Sequence, residues 1–151
     1  MNFRKATQED VPFIVAMLAD DELGKTRENY RNPLPASYIE AFQAIDSDKN
    51  QELMVVENEA SEIIGTLQLS FIQYLTYRGG IRAQIEAVRI RKDQRGLGIG
   101  KKMFLWAIER AKERNAHVLQ LTTDKRRPKA IQFYKDLGFE PTHEGMKMHF
   151  S

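Results

Sequence analysis

Apolar positions recur along this chain with two different periods, and the switches between them mark out its elements. Residues 2–6 read as a short strand. Thr7 and Asp10 then stand three apart, a capping box with Asp in place of Glu. Ile14, Met17 and Leu18 follow at helical spacing, so residues 8–20 should be a helix, with Pro12 tolerated in its first turns. Residues 20–33 are polar and aperiodic, a loop or a frayed second helix. Pro35 opens a further helix whose apolar face is Tyr38, Ala41, Phe42 and Ile45. The period then changes. Leu53 to Val56 is a buried-strand run, residues 58–61 are a turn, and Ile63 to Tyr74 alternates Leu67, Leu69 and Phe71 with Gln68 and Ser70. These two strands predict a hairpin. Gly79-Gly80 marks a turn before a strand over 81–90. A charged, glycine-containing loop at 91–97 leads into a helix at about 98–114, which Asn115 can close. A strand over 118–122 and a helix from Pro128 to Leu137, closed by Gly138, come next. The last residues can form one or two terminal strands. This order predicts a single α/β (α+β mixed) domain over residues 1–151, with one mixed sheet and helices on both faces.

Composition narrows the chemistry. The 151 residues are enough to bury a core without metals or crosslinks. No cysteine is present, which excludes a disulfide framework, a thiolate nucleophile and a cysteine-ligated metal. His117, His143 and His149 form no close-spaced ligand pair, so no metal site is expected. No apolar run approaches the roughly 18 residues of a membrane span, and the N-terminus lacks a signal-peptide core, so no membrane association and a cytoplasmic location are expected. The net charge of +2 is too balanced for bulk nucleic-acid binding. Its basic residues gather in two segments, Arg89 to Lys102 and Lys125 to Lys129, which suit a small polyanion better than a duplex.

The strongest local signal is Arg95-Gly96-Leu97-Gly98-Ile99-Gly100-Lys101, between a strand and a helix. Glycines let the backbone turn sharply, and a helix N-terminus offers unpaired N–H donors and partial positive charge. A pyrophosphate is a natural guest there. Gly96 and Gly100 are one residue too close for a P-loop, and Lys101 precedes Lys102 rather than Ser or Thr. The run Gly96-x-Gly98-x-Gly100 also departs from the dinucleotide-binding turn. Taken alone, the segment fits a solvated charge cluster almost as well.

Arg95-x-x-Gly98-x-Gly100 resembles the Q/R-x-x-G-x-G/A motif of the GNAT acetyltransferase superfamily, and Val88-x-Ile90 before it looks like that family's central strand. Downstream, Ala130-Ile131-Gln132-Phe133-Tyr134-Lys135-Asp136-Leu137-Gly138-Phe139 resembles the family's A-x-x-F-Y-x-x-L-G-F segment. The two motifs keep the family's order and separation, and together cover residues 88–139, a third of the chain. The resemblance implies a mostly antiparallel sheet with a central strand that bulges and splays from its neighbour, and acetyl-CoA as cosubstrate. Backbone N–H groups from Arg95 through Lys101, including those of Gly96, Gly98, Ile99 and Gly100, would hold the pyrophosphate. The N–H of Val88 would face the acetyl carbonyl, and Ile90 would bond the pantetheine arm. Tyr134 would sit beside the CoA sulfur. The family often carries Asn where this chain has Arg127, so an Asn-type pantetheine contact does not transfer directly. A homodimer is common in the family.

Moving an acetyl group from a thioester to an amine needs a neutral amine held near the carbonyl, a donor for the developing oxyanion, and a proton for the leaving thiolate. Val88 N–H and Tyr134 O–H are the candidates for the last two. No covalent acetyl-enzyme is required. Glu86, two residues before Val88 and on the same face in a regular strand, is the candidate base, directly or through water. Its other readings are substrate binding and an ion pair with Arg82 or Arg89. Gln84 occupies a position where some family members carry the basic glutamate, and Gln cannot act as a base. A small-molecule amine is favoured as acceptor over a protein amine, in a pocket from the N-terminal helices and hairpin loops, where Asp20, Asp21 and Glu22 could attract a cation. Two rival readings are an acetyl-CoA sensor without turnover and a DNA-binding regulator, although residues 20–35 are too long for a helix-turn-helix turn.

Overall fold

The computed structural model describes residues 1–151. Its elements are β1 (Asn2–Lys5), α1 (Val11–Ala19), α2 (Ala36–Asp46), β2 (Gln51–Glu57), β3 (Ile63–Gln73), β4 (Ile81–Ile90), α3 (Ile99–Glu113), β5 (Val118–Gln120) and α4 (Pro128–Asp136). The strands form one sheet in the order β1-β2-β3-β4-β5, antiparallel except for the parallel β4–β5 pair. The mixed, mostly antiparallel sheet with helices on both faces agrees with the sequence reading.

Alternation decides which helix covers which face. Met54, Val56, Leu67, Leu69, Phe71, Ala83 and Ile85 turn to one side, where Ile99, Met103, Phe104, Ala107 and Ala111 of α3 meet them. Leu67, Leu69 and Met103 are fully buried, each stabilising by about 1.5–3 kcal/mol relative to exposure. Val55, with Leu53 and Ile63, turns to the other side against Val11, Ile14 and Val15 of α1 and Phe42 of α2. The start of α1 is set as its sequence suggested. The Asp10 carboxylate accepts the Thr7 N–H at 2.7 Å and the Arg4 guanidinium at 2.7 and 2.9 Å, so β1 and α1 are tied at their junction.

Three sequence expectations need correcting. Residues 8–20 split into a 3-10 turn at Gln8–Asp10 and then α1. Gly79-Gly80 is preceded by a one-turn segment at Thr76–Gly79 in which Tyr77 and Arg78 both adopt left-handed conformations. No terminal strand forms. After α4, Gly138 (φ +104°) turns the chain and Phe139 packs on the core, but residues 140–151 are exposed and belong to no strand. Their alternating pattern is that of a strand, and no strand of this chain pairs with it.

Glu52 is the charged group that fastens α3 to the sheet. It is 7% exposed on β2 and accepts Arg110 through both oxygens at 2.8 and 2.7 Å and Arg114 at 2.6 Å. Burial pushes its carboxyl up, but the hydrogen bonds and charges of Arg110 and Arg114 outweigh burial and hold it below the usual glutamate range. A folded-state value below the unfolded one adds stability above about pH 4.3, and that stability is lost as pH falls through the folded value. Glu52→Gln should therefore lower unfolding stability at pH 7 by about 2 kcal/mol. That is less than the ~3–5 of a fully buried pair, because the Arg110 side chain keeps 33% of its surface exposed. Urea unfolding should show the gap between variant and parent closing below about pH 4. A gap that stays constant with pH would contradict this account.

Candidate active site

The site begins where two strands part. β4 and β5 pair only from Arg82↔Val118 to Gln84↔Gln120, and residues 85–90 continue without a partner on that side. On the β3 side the register slips. Gln68 faces Glu86 and Thr66 faces Arg89, so Ala87 and Val88 together oppose Leu67. Ala87 accommodates this with φ +52°, an uncommon conformation for a non-glycine residue. Beyond the bulge, Arg91 N–H donates to Ile64 O at 2.8 Å. Antiparallel alternation then turns the N–H groups of Val88 and Ile90 away from β3 and into the cleft.

The bulge also exchanges the faces of the strand. Ala83 and Ile85 pack toward α3 before it, and Val88 and Ile90 do so after it. Glu86 therefore lies on the α2 side. The expectation that Glu86 and Val88 share a face assumed a regular strand, and the extra residue overturns it.

Beside the open edge of β4 lies the glycine turn. Gly96 and Gly98 both have φ +80°, and Gly98 is the N-cap of α3. No protein acceptor meets the backbone N–H groups of residues 96–101. The buried side chain of Ile99 fixes the turn in the core. A Cβ on Gly100 would lie 3.3 Å from Ile90 Cδ1 and 3.9 Å from Phe133 Cζ, so the turn, the end of β4 and α4 converge here. Arg95 plays a bracing part. Its N–H turns to Lys92 O (3.4 Å), and its guanidinium donates to Ile90 O (3.2 Å) and Asp20 O (3.0 Å). Lys101 and Lys102 are exposed at the helix start.

Tyr134 projects from α4 among Phe104, Phe133 and Phe139, with ring centroids 5.5, 5.6 and 6.0 Å away. Burial pushes its hydroxyl pKa up, against the pull of nearby Arg127 and Arg89, so the O–H stays protonated at neutral pH. Arg127, the N-cap of α4, donates to Asp21 Oδ2 at 2.6 Å, and Arg89 of β4 approaches the same oxygen at 3.4 Å. Burial raises the Asp21 carboxyl, but the Arg127 hydrogen bond and the two arginine charges prevail and lower it. Asp21 thus clasps the two lips of the cleft from the segment after α1. Sequence reading missed this role, since the partners lie 68 and 106 residues away. Arg127 is engaged with Asp21 in this arrangement.

On the α2 side, a cleft of about 470 Å³ is lined by Ile45, Asp48, Gln51, Gln68, Ser70 and Glu86 among others. Gln51 Oε1 accepts Gln68 Nε2 (2.8 Å) and Ser70 Oγ (2.7 Å). Gln120 Nε2 donates to Gln84 Oε1 at 2.7 Å, and Gln84 Nε2 donates in turn to Glu86 Oε1. The position with no basic carboxylate thus orients the one beside it.

Comparison with known proteins gives this arrangement a context. Residues 17–139 match the model of the acetyltransferase (GNAT) family. The crystal structure of a transcriptional regulator from Bacillus halodurans C-125 superposes with a TM-score of 0.95 at 56% identity, covering 99% of both chains. The L-methionine sulfoximine/L-methionine sulfone acetyltransferase of Pseudomonas aeruginosa is 27% identical over 143 residues, 92% of this chain and 80% of that one. The aminoalkylphosphonate N-acetyltransferase of Salmonella typhimurium is 26% identical over 140 residues, 93% of this chain and 85% of that one.

A methyl at Gly98 meets no atom within 4 Å, so Gly98→Ala tests the backbone alone. Left-handed strain of about 1–2 kcal/mol should shift the turn. The expected result is acetyl-CoA affinity about tenfold weaker by calorimetry, with the melting temperature lowered by no more than about 8 °C. Unchanged affinity would remove the turn from the binding site.

Proposed function

This chain belongs to the GNAT acetyltransferase family, and on that premise we propose how its own residues carry the transfer. It is an acetyl-CoA-dependent N-acetyltransferase that passes the acetyl group directly to an amine, with no covalent acetyl-enzyme. One observation carries the reading of the site: left-handed Gly96 and Gly98 present a row of free N–H groups beside the strand edge that the bulge and the parting of β5 leave open.

The residues fit the cosubstrate. The amides of residues 96–101 and the start of α3 supply donors and positive potential for a pyrophosphate, with Lys101 adding charge. Ile90 N–H offers a bond to an amide-bearing arm laid along β4. Bound acetyl-CoA supplies the activated thioester. Val88 N–H, fixed by the bulge, stabilises negative charge developing on the acyl oxygen. Tyr134 O–H, kept protonated by burial, donates to the departing sulfur. Glu86, oriented by Gln84 and Gln120, takes a proton through water from the ammonium form of the acceptor, leaving the neutral amine to attack. Arg127 and Arg95 hold the walls of the cleft, Arg127 through Asp21 and Arg95 through Ile90 and Asp20.

The acceptor reading is a small-molecule amine in the cleft between α2 and the sheet. Glu86 and Asp48 suit its cationic form, and the Gln51, Gln68 and Ser70 group suits hydroxyl or amide substituents. That both acetyltransferase relatives are named for small amino compounds supports this choice over a protein amine. One acetyltransferase domain over residues 1–151, working in the cytoplasm and as a homodimer, belongs to the same proposal. The regulator description of the Bacillus halodurans protein suggests DNA binding as a second reading. Against it, α1 ends at Ala19 and α2 starts at Ala36, far beyond the turn of a helix-turn-helix.

An amine panel scored by thiol release tests this function. Tyr134→Phe should lower kcat by about 10²-fold with acetyl-CoA affinity unchanged, and Glu86→Gln should lower kcat by a similar factor. Acetyl-CoA binding without thiol release from any amine would favour a sensor, and salt-dependent duplex binding would favour the regulator.

A further inference from the structure

We propose that Arg89 is the seat for an acidic group on the acceptor, so that the amine acetylated by this chain is an amino acid held by its carboxylate. The inference deepens the small-molecule acceptor proposed above and rests on that reading. The bulge at Ala87 makes it possible. In a regular strand Glu86 and Arg89 would point to opposite faces. Here Glu86 pairs with Gln68 and Arg89 with Thr66, which stand two apart on β3 and so share a face. Gln68 lines the cleft on the α2 side, so that is the face in question. The extra residue thus brings a carboxylate and a guanidinium onto one side of β4, with backbones about 7 Å apart along the strand. The lining of the cleft reaches Glu86 and Ala87, two residues short of Arg89.

Arg89 is short of partners. Its side chain keeps only 16% of its surface exposed. Nη1 donates to Val88 O at 2.9 Å, Nη2 approaches Asp21 at 3.4 Å, and the buried Nε meets no acceptor. Asp21 is held more closely by Arg127, at 2.6 Å. The other carboxylate that acts on Arg89 is Glu28, and it already takes Arg27 and the Tyr38 hydroxyl, each at 3.0 Å. Three guanidinium groups, of Arg27, Arg89 and Arg127, therefore face two carboxylates, leaving one positive charge in excess. Burial first, and then the charges of Arg127 and Arg27, push the Arg89 pKa down against the pull of Asp21 and Glu28. A half-buried cation with an orphaned donor is costly, and one bound anion relieves both faults. A carboxylate suits a guanidinium best, through two parallel hydrogen bonds. An amino acid supplies both ends of the required pair. Its ammonium lies toward Glu86 and the intervening water, and its carboxylate lies on Arg89. Val88, whose N–H receives the acyl oxygen in the mechanism above, sits between the two on the strand.

Thiol release from the common L-amino acids, each beside its own α-amide, tests the proposal. The two members of a pair share an amine and a side chain and differ in the acidic group. For the best acceptor, kcat/KM of the acid should exceed that of the amide by about tenfold or more. In Arg89→Gln this ratio should fall to about one, mainly through the KM of the acid, and Arg89→Lys, which keeps the charge without the planar fork, should fall between the two. Heat-shift by acetyl-CoA checks that each variant is folded, and the comparison in the parent needs no variant at all. Amides or simple amines that equal the acids in the parent overturn the carboxylate seat and leave the acetyltransferase reading intact. A loss in Arg89→Gln shared equally by acid and amide makes Arg89 a wall of the cleft alone, and also overturns it. Thiol release from no amine, with the heat-shift present, defeats the acetyltransferase reading and this one with it.

Discussion

The parting of β4 from β5 is the constraint on which the rest of the molecule turns. A β5 that stayed paired with β4 as far as Ile90 would cover the edge on which the Val88 and Ile90 amides lie open beside the glycine turn. Parting costs backbone hydrogen bonds on both strands. On β4 a ligand able to accept them is the natural compensation, which links the sheet's geometry to the chemistry of an amide-rich thioester arm.

Charge holds the parted strands in place. Asp21 reaches Arg89 on one lip and Arg127 on the other, while Arg95 braces the turn against the ends of β4 and α1. Glu52 performs the same service at the far end of α3, through Arg110 and Arg114. Apolar packing under the sheet holds α3, and the Glu52 contacts tie its C-terminal end to β2. The α2 side of the sheet is different in kind: amides and a hydroxyl, with Glu86 held by a relay of glutamines.

Much of this was legible in the chain. Alternation in Ile63–Gln73, helical spacing in Ile99–Glu113 and the glycines at 96 and 98 are local signals with local causes, and they gave the hairpin, the mixed sheet and the turn before α3. The family resemblance implied a bulged central strand but not where it bulges, because Ala87 carries no glycine to announce a positive φ. Its consequence, Glu86 and Val88 on opposite faces, could not be counted from spacing. The Asp21 clasp joins residues 68 and 106 positions apart, where no periodicity operates. The tail illustrates the opposite failure: Met146, Met148 and Phe150 keep a strand's alternation, but no strand of this chain pairs with them.

Amide chemical shifts of the full chain during titration with CoA probe the central claim most directly, because they report on backbone N–H groups one at a time. The account predicts that the largest changes fall on Gly96, Leu97, Gly98, Ile99, Gly100 and Lys101, with Val88 and Ile90 moving in the same concentration range. Changes confined to the α2 side of the sheet, around Gln51, Gln68 and Ser70, or no changes at saturating CoA, would contradict it.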